Sequence, residues 1–156
     1  MLWGLINFAV GLDGIEISPD QTWVYLAPMT SSRLCRVPLA SLLDASITPA
    51  ELATKVEYLG HKPMSDGITT DSAGNIILTD VEHGGVMLLD PNGRNPVTLA
   101  RARDITWPDG IVTGPDRSIY FTDSAVSAYS TPLAMPPDRS RLARLQPFYI
   151  YRLSHQ

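Results

Sequence analysis

One cysteine is all the chain contains, Cys35, set in the apolar run Leu34-Cys35-Arg36-Val37. That excludes an intrachain disulfide, reads as a buried or half-buried thiol, and leaves the redox compartment unreadable. Positive charge is scarce and scattered. Twelve Lys and Arg stand against sixteen Asp and Glu, a net charge of −4, and with no basic stripe to neutralise a phosphate backbone, nucleic acid is not an expected partner. Long apolar runs are missing too. Leu2 to Val10 falls far short of the roughly 20 residues that span a bilayer, and it lacks the basic leader and small-residue cleavage pattern of a signal peptide. It is read as a strand from a neighbouring sheet, and no membrane partner is expected. There is no Gly-x-Ser-x-Gly elbow, no phosphate loop, and no Cys or His spacing that suits zinc, so Ser-His-Asp hydrolysis has no support. What remains, 44% hydrophobic and 18% charged residues, is enough to bury a sizeable core and excludes a disordered chain.

What is present is a repeat. Asp109 to Asp123 reads Asp-Gly-Ile-Val-Thr-Gly-Pro-Asp-Arg-Ser-Ile-Tyr-Phe-Thr-Asp, and the same frame recurs at Asp66 to Asp80 with matching Asp-Gly-Ile start, second Ile and Thr-Asp end. A looser copy opens at Asp13-Gly14-Ile15. The starts lie 53 and 43 residues apart, and self-similarity at a period of roughly 40 to 50 residues marks a repeat architecture.

Each copy has a short extended run, a turn rich in Asp, Gly, Pro and Ser, and a second run of β-branched and aromatic residues, the pattern of a β-hairpin. In the middle copy Gly85–Leu89 and Pro96–Leu99 add two more strands around the turn Asp90-Pro91-Asn92-Gly93. Four short antiparallel strands per repeat predict an all-β protein of the β-propeller class. The expected blades span about 13–60, 66–100 and 109–153, the third without an obvious fourth strand. Propellers use about four to eight blades, so the count does not close. Two open blade edges and a bare apolar flank then predict self-association.

Two insertions interrupt the repeat. Thr48 with Glu51 three residues on forms a capping box, and Pro49 suits a first helical position, so a short helix is expected near Thr48–Lys55, with Leu52 facing the blade. Ser124 to Pro147, with Pro132, Pro136 and Pro137 among Arg139, Arg141 and Arg144, reads as a long loop, either a lid or a solvated segment. Phe148–Leu153 alternates as a strand.

With these pieces placed, the chain resembles the C-terminal part of the major royal jelly and Yellow family, its bacterial members above all. The resemblance rests on the ordered set Asp13–Asp20, Arg36-Val37-Pro38 with its following helix, Lys62–Gly67, Thr79–Gly84, Trp107-Pro108-Asp109-Gly110 and Tyr149–Leu153. It implies a six-bladed propeller of which about half is absent here, and a secreted or periplasmic location.

In a propeller the innermost strand of each blade lines the channel, and the repeated Asp-Gly opens that strand. Asp13, Asp66 and Asp109 are therefore expected at equivalent positions around one channel mouth, as hard ligands for Ca²⁺ or Mg²⁺ or as acceptors for an amine. A looser similarity to six-bladed lactonases of the gluconolactonase type, which hold a divalent cation with channel-lining carboxylates, singles out Asp66 and Asp109 as metal ligands. The competing reading is that each Asp caps its own turn through backbone N–H groups. Trp107 beside Asp109 is a candidate wall for a small-molecule ligand. His83, next to Glu82 at a blade end, is either a further ligand-binding residue or a hydrogen-bonded loop residue. Thr79-Asp80 and Thr122-Asp123 are expected to tie strands and turns together.

Three functions stay open. One is a small-molecule-binding propeller of the Yellow type, with an amine or catechol as its ligand. Another is a metal-dependent lactonase in which a cation polarises the ester and a carboxylate activates water. The third is an inactive fragment whose site needs the missing blades.

Overall fold

The computed structural model of the chain describes residues 2–3, 6–7, 10–126, 139–144, 146 and 148–154. Its first elements, β1 (Leu2–Trp3) and β2 (Ile6–Asn7), pair only with each other, in a ladder separate from the other sheets. The N-terminal run is thus not the single strand its apolar composition suggests.

The first blade is β3 (Leu12–Ile17), β4 (Trp23–Pro28), β5 (Arg33–Pro38) and β6 (Glu57–His61), antiparallel in that order. Between its third and fourth strands lie two short helices, α1 (Leu39–Leu43) and α2 (Pro49–Ala53). The second helix starts as expected: the Thr48 side chain accepts from the Glu51 N–H while Glu51 reaches back to the Thr48 N–H. Leu52 is half-buried. The second blade is β7 (Ile68–Thr70), β8 (Ile76–Asp80), β9 (Gly85–Leu89) and β10 (Val97–Arg101). The third has three strands among the described residues, β11 (Pro108–Thr113), β12 (Ile119–Asp123) and β13 (Ile150–Leu153). The Arg-rich insertion is not loop throughout, because Arg139–Arg144 form the helix α3; its prolines 132, 136 and 137 lie outside the described residues.

Turn chemistry explains why the hairpins close where they do. Asp71 accepts the backbone N–H groups of Ala73 and Asn75, Asp90 those of Asn92 and Arg94, Asp116 that of Ser118, and Asp20 that of Thr22. A short carboxylate that satisfies donors two and four residues on fixes the reversal without further packing.

The three sheets stack face to face, and the middle one is covered on both sides. Along β8 the side chains alternate. Ile76 and Leu78 join Tyr25, Ala27 and Leu34 of the first blade in one core, whereas Ile77 joins Ile105, Ile119 and Phe121 of the third blade in another. All five residues of β8 are buried, which is why the sequence there reads as a continuous apolar run and not an alternating one.

At the centre the innermost strands β3, β7 and β11 lie side by side, and the glycine of each Asp-Gly pair sets how closely. A methyl group on Gly14 would sit 3.0 Å from Ile68 Cγ2 and 3.3 Å from the Asp66 carbonyl oxygen. One on Gly67 would overlap the Asp109 carbonyl oxygen and lie 2.9 Å from Ile111 Cγ2. The repeated glycine is therefore a close-approach residue between blades, a role distinct from a turn conformation.

Candidate functional site at the acidic channel mouth

Because successive inner strands pack in register, the aspartates that precede these glycines are brought to one end of the channel. Asp66 is half-buried in the middle, close enough to Asp109 and Asp13 to feel both charges. Trp107 completes the group: its indole Nε1–H crosses the blade boundary and donates to Asp66 Oδ2 at 2.6 Å. The ring itself is buried.

Trp107 is held there from its own blade. The Asp123 carboxylate accepts the Trp107 backbone N–H at 2.7 Å, the Thr106 N–H at 2.9 Å and the Ala125 N–H at 3.1 Å. The Thr-Asp end of the repeat thus positions the tryptophan. In the second blade its partner Thr79 accepts the N–H groups of both Asp66 and Gly67 at 3.0 Å, fixing the strand start that carries the central carboxylate. Thr79, Asp80 and Asp123 have the expected structural role, and no hydrogen bond is described for the Thr122 side chain. Asp123→Ala should cost about 1–3 kcal/mol through the donors it strands, measured as a shift in urea midpoint, whereas Thr122→Ala, whose side chain is exposed, should lie within about 0.5 kcal/mol of the parent.

The electrostatics of the group follow from its geometry. Burial pushes the Asp66 carboxyl up to about 6; the Trp107 hydrogen bond to the ionised form holds it back, and the charges of Asp109 and Asp13 push it up further. The hydrogen bond described for the Asp66 carboxylate comes from the Trp107 side chain and not from a backbone N–H group. Backbone capping belongs instead to the turn aspartates Asp20, Asp71, Asp90 and Asp116.

His83 is placed differently. Its Nδ1 lies 2.9 and 3.0 Å from the two oxygens of Asp80, which is buried and also 3.6 Å from Arg101, so the imidazole is anchored beside the β8–β9 turn and is not among the groups that act on Asp66. Glu82 accepts the Met64 N–H at 3.2 Å and so ties down the segment that leads into Asp66. Lys62 in that segment went unread in the sequence. Its buried amine donates to the Pro63 carbonyl at 3.0 Å, and burial lowers its pKa to about 8 against the opposing pull of Glu82. Only the clustering of Lys62 and Glu82 at the repeat start, invisible without the fold, would have marked it.

As a metal centre the mouth is incomplete. Among the described residues no group of three or more His, Cys, Asp or Glu side chains is arranged to hold a metal ion. A cleft of about 260 Å³ lies beside the third blade, lined by Asp104, Asp123, Arg144, Phe148, Tyr149 and Tyr151 among others, and does not include Asp66 or Asp109. The acidic mouth is not itself an enclosed pocket, since three blades wall only part of a ring.

No family model matches the chain, and no curated protein matches it. Solved structures do. Among them are a calcium-binding protein, regucalcin, from Agrobacterium tumefaciens (24% identity, 92% of this chain and 45% of that one, TM-score 0.60) and a gluconolactonase from Xanthomonas campestris (16%, 93% and 44%, 0.64). A luciferin-regenerating enzyme is similar to a like degree (16%, 91% and 44%, 0.58). The chain spans less than half the length of these structures, and at such identities the likeness concerns the fold. The resemblance to the major royal jelly and Yellow family gains no support from them. The fold is thereby settled as a partial β-propeller, and the solved propellers it matches are about twice its length.

Proposed function

We propose that the acidic mouth is the working site of a lactonase-type hydrolase acting on a small cyclic ester, with Asp66 as general base. The observation that carries this reading is the constellation around Asp66: one carboxyl, desolvated, pinned by the Trp107 indole N–H and flanked by two like charges. An ionisation at about 6 leaves Asp66 mostly ionised at neutral pH yet far more basic than a free carboxylate, the range in which a general base is most effective. In this reading Asp66 takes a proton from water as the water oxygen attacks the ester carbonyl carbon. The ring C–O bond then breaks, the proton returns from Asp66 to the departing alkoxide, and a hydroxy acid leaves. Asp109 and Asp13 raise the basicity of Asp66 and offer acceptors to substrate hydroxyls, while Trp107 fixes the orientation of the Asp66 carboxylate.

The fold likeness to a gluconolactonase is in keeping with this choice over the Yellow-type binding module. No step is routed through a divalent cation, because the donor set described for one is short. The test is acid release from a sugar δ-lactone, followed at constant pH with and without added Ca²⁺. Hydrolysis above the spontaneous rate, lost in Asp66→Asn, supports the reading. Parent protein that is folded and no faster than buffer contradicts it.

A further inference from the structure

The two blade boundaries inside the chain obey one rule, and its two ends are left half-made. At each internal boundary the Gly and the residue two on from it face the following blade, and the Ile and the residue two on from that face the preceding one. Gly14 meets the Asp66 carbonyl and Ile68; Gly67 meets the Asp109 carbonyl and Ile111. Thr69, two residues after Gly67, accepts the Thr113 N–H at 3.3 Å.

By the same rule Gly110 and Val112 face forward from the third blade, and Ile15 and Ile17 face backward from the first. Each lacks its counterpart. Among the described residues, the only atom near a methyl built on Gly110 belongs to Thr122 of its own blade, at 3.5 Å. Val112 is 56% exposed, and Ile15 and Ile17 are 56% and 46% exposed, although Ile68, at the repeat position of Ile15, is 6% exposed. One flank thus offers a glycine gap and an apolar residue; the other offers the isoleucine that fills such a gap and a second apolar residue two positions on.

We propose that a second copy of this chain docks on both flanks at once, closing a ring in which Gly110 of each copy receives the partner's Asp13 carbonyl and the partner's Ile15, and Val112 packs on the partner's Ile17. The two half-contacts complement each other, so a two-fold arrangement makes two identical new boundaries, each a continuation of the boundaries already inside the chain. Two copies contribute six blades, within the about four to eight that propellers use, and the chain is a little under half the length of the solved propellers it matches. Where the internal boundary uses Thr69 and Thr113, the new one places Val112 against isoleucine, an apolar pairing suited to an association surface. Ring closure also brings the partner's Asp13 beside Asp109, in the relation Asp109 bears to Asp66, and so completes the acidic mouth. This inference stands on the strand contacts and does not depend on the lactonase reading.

The test is sedimentation velocity on the 156-residue chain at roughly 100 μM, a hundredfold above a micromolar dissociation constant. A discrete species of twice the 17.1 kDa chain mass is expected. Gly110→Val, which has open space within one copy but would strike the partner's backbone, should sediment as a folded monomer with unchanged far-ultraviolet circular dichroism. Val112→Lys, an exposed position, provides the same reading should Gly110→Val fail to fold. A parent that stays monomeric, as it would if the flanks are covered by further sequence of a longer chain, overturns the proposal. So does a dimer that survives both substitutions, or an open series of larger species.

Discussion

Asp66→Asn should abolish lactone hydrolysis by a factor of about 10²–10⁴ and yet make the protein more stable at pH 7. The two effects have one cause. In the folded chain the Asp66 carboxyl ionises at about 6 against an ordinary value of 3.8, so folding favours its protonated form. That contribution to stability is fully present below pH 4 and is lost as pH rises through 6. Parent stability should therefore fall across that window by about 1–2 kcal/mol, the shift having been discounted because Asp66 is only half-buried. The Asn variant has no charge to desolvate, and its side-chain oxygen still accepts from Trp107, so its melting temperature should stay level between pH 4 and 6 and exceed the parent's at pH 7. An Asn variant that is less stable than the parent at every pH would mean that the carboxylate serves packing and not a site.

Gly67→Ala should be among the most damaging single-methyl additions in the chain, at about 3 kcal/mol, whereas Gly110→Ala, compared at a dilution where the chain is monomeric, should be within about 0.5 kcal/mol of the parent. At Gly67 the new methyl overlaps a backbone oxygen, that of Asp109, and meets Ile111 at both its amide nitrogen, 3.2 Å away, and its Cγ2. Backbone cannot swing aside as the end of a flexible side chain can, so β7 and β11 must separate, and the core of Ile77, Val86, Ile119 and Phe121 between those blades opens with them. At Gly110 the same methyl meets nothing closer than 3.5 Å. Chemical denaturation of the two variants separates a boundary glycine from a turn glycine, because neither position has the positive φ that would penalise both equally.

How much of this was legible in the sequence depends on the range of the interaction. The repeat, the hairpins and the helix at Thr48 are local patterns, and the fold follows them to within a residue or two. The acidic ring was legible because repeated units stack in register, so that equal positions in the frame become neighbours in space. Which contacts that stacking makes was not. The bond from Trp107 to Asp66 spans 41 residues, and the tryptophan's adjacency to Asp109 in sequence points to the wrong carboxylate. The repeated Asp-Gly reads as a strand start, and the glycine's close approach to another backbone leaves no mark of its own in a single sequence. His83 reads in the sequence as either a ligand-binding residue or a hydrogen-bonded loop residue, and only the fold shows that its partner is Asp80. The β1–β2 pair was misread for a related reason, since a mostly apolar run does not fix pairing.

The central claim is that Asp13, Asp66 and Asp109 converge on one site with Asp66 at its middle, and the most direct measurement is a carbon-detected NMR titration of the Asp66 side-chain carboxyl. The midpoint is expected near 6 in the parent, and lower in both Asp109→Asn and Asp13→Asn as each flanking charge is removed. A parent midpoint in the ordinary aspartate range, or one near 6 that neither substitution moves, would contradict it.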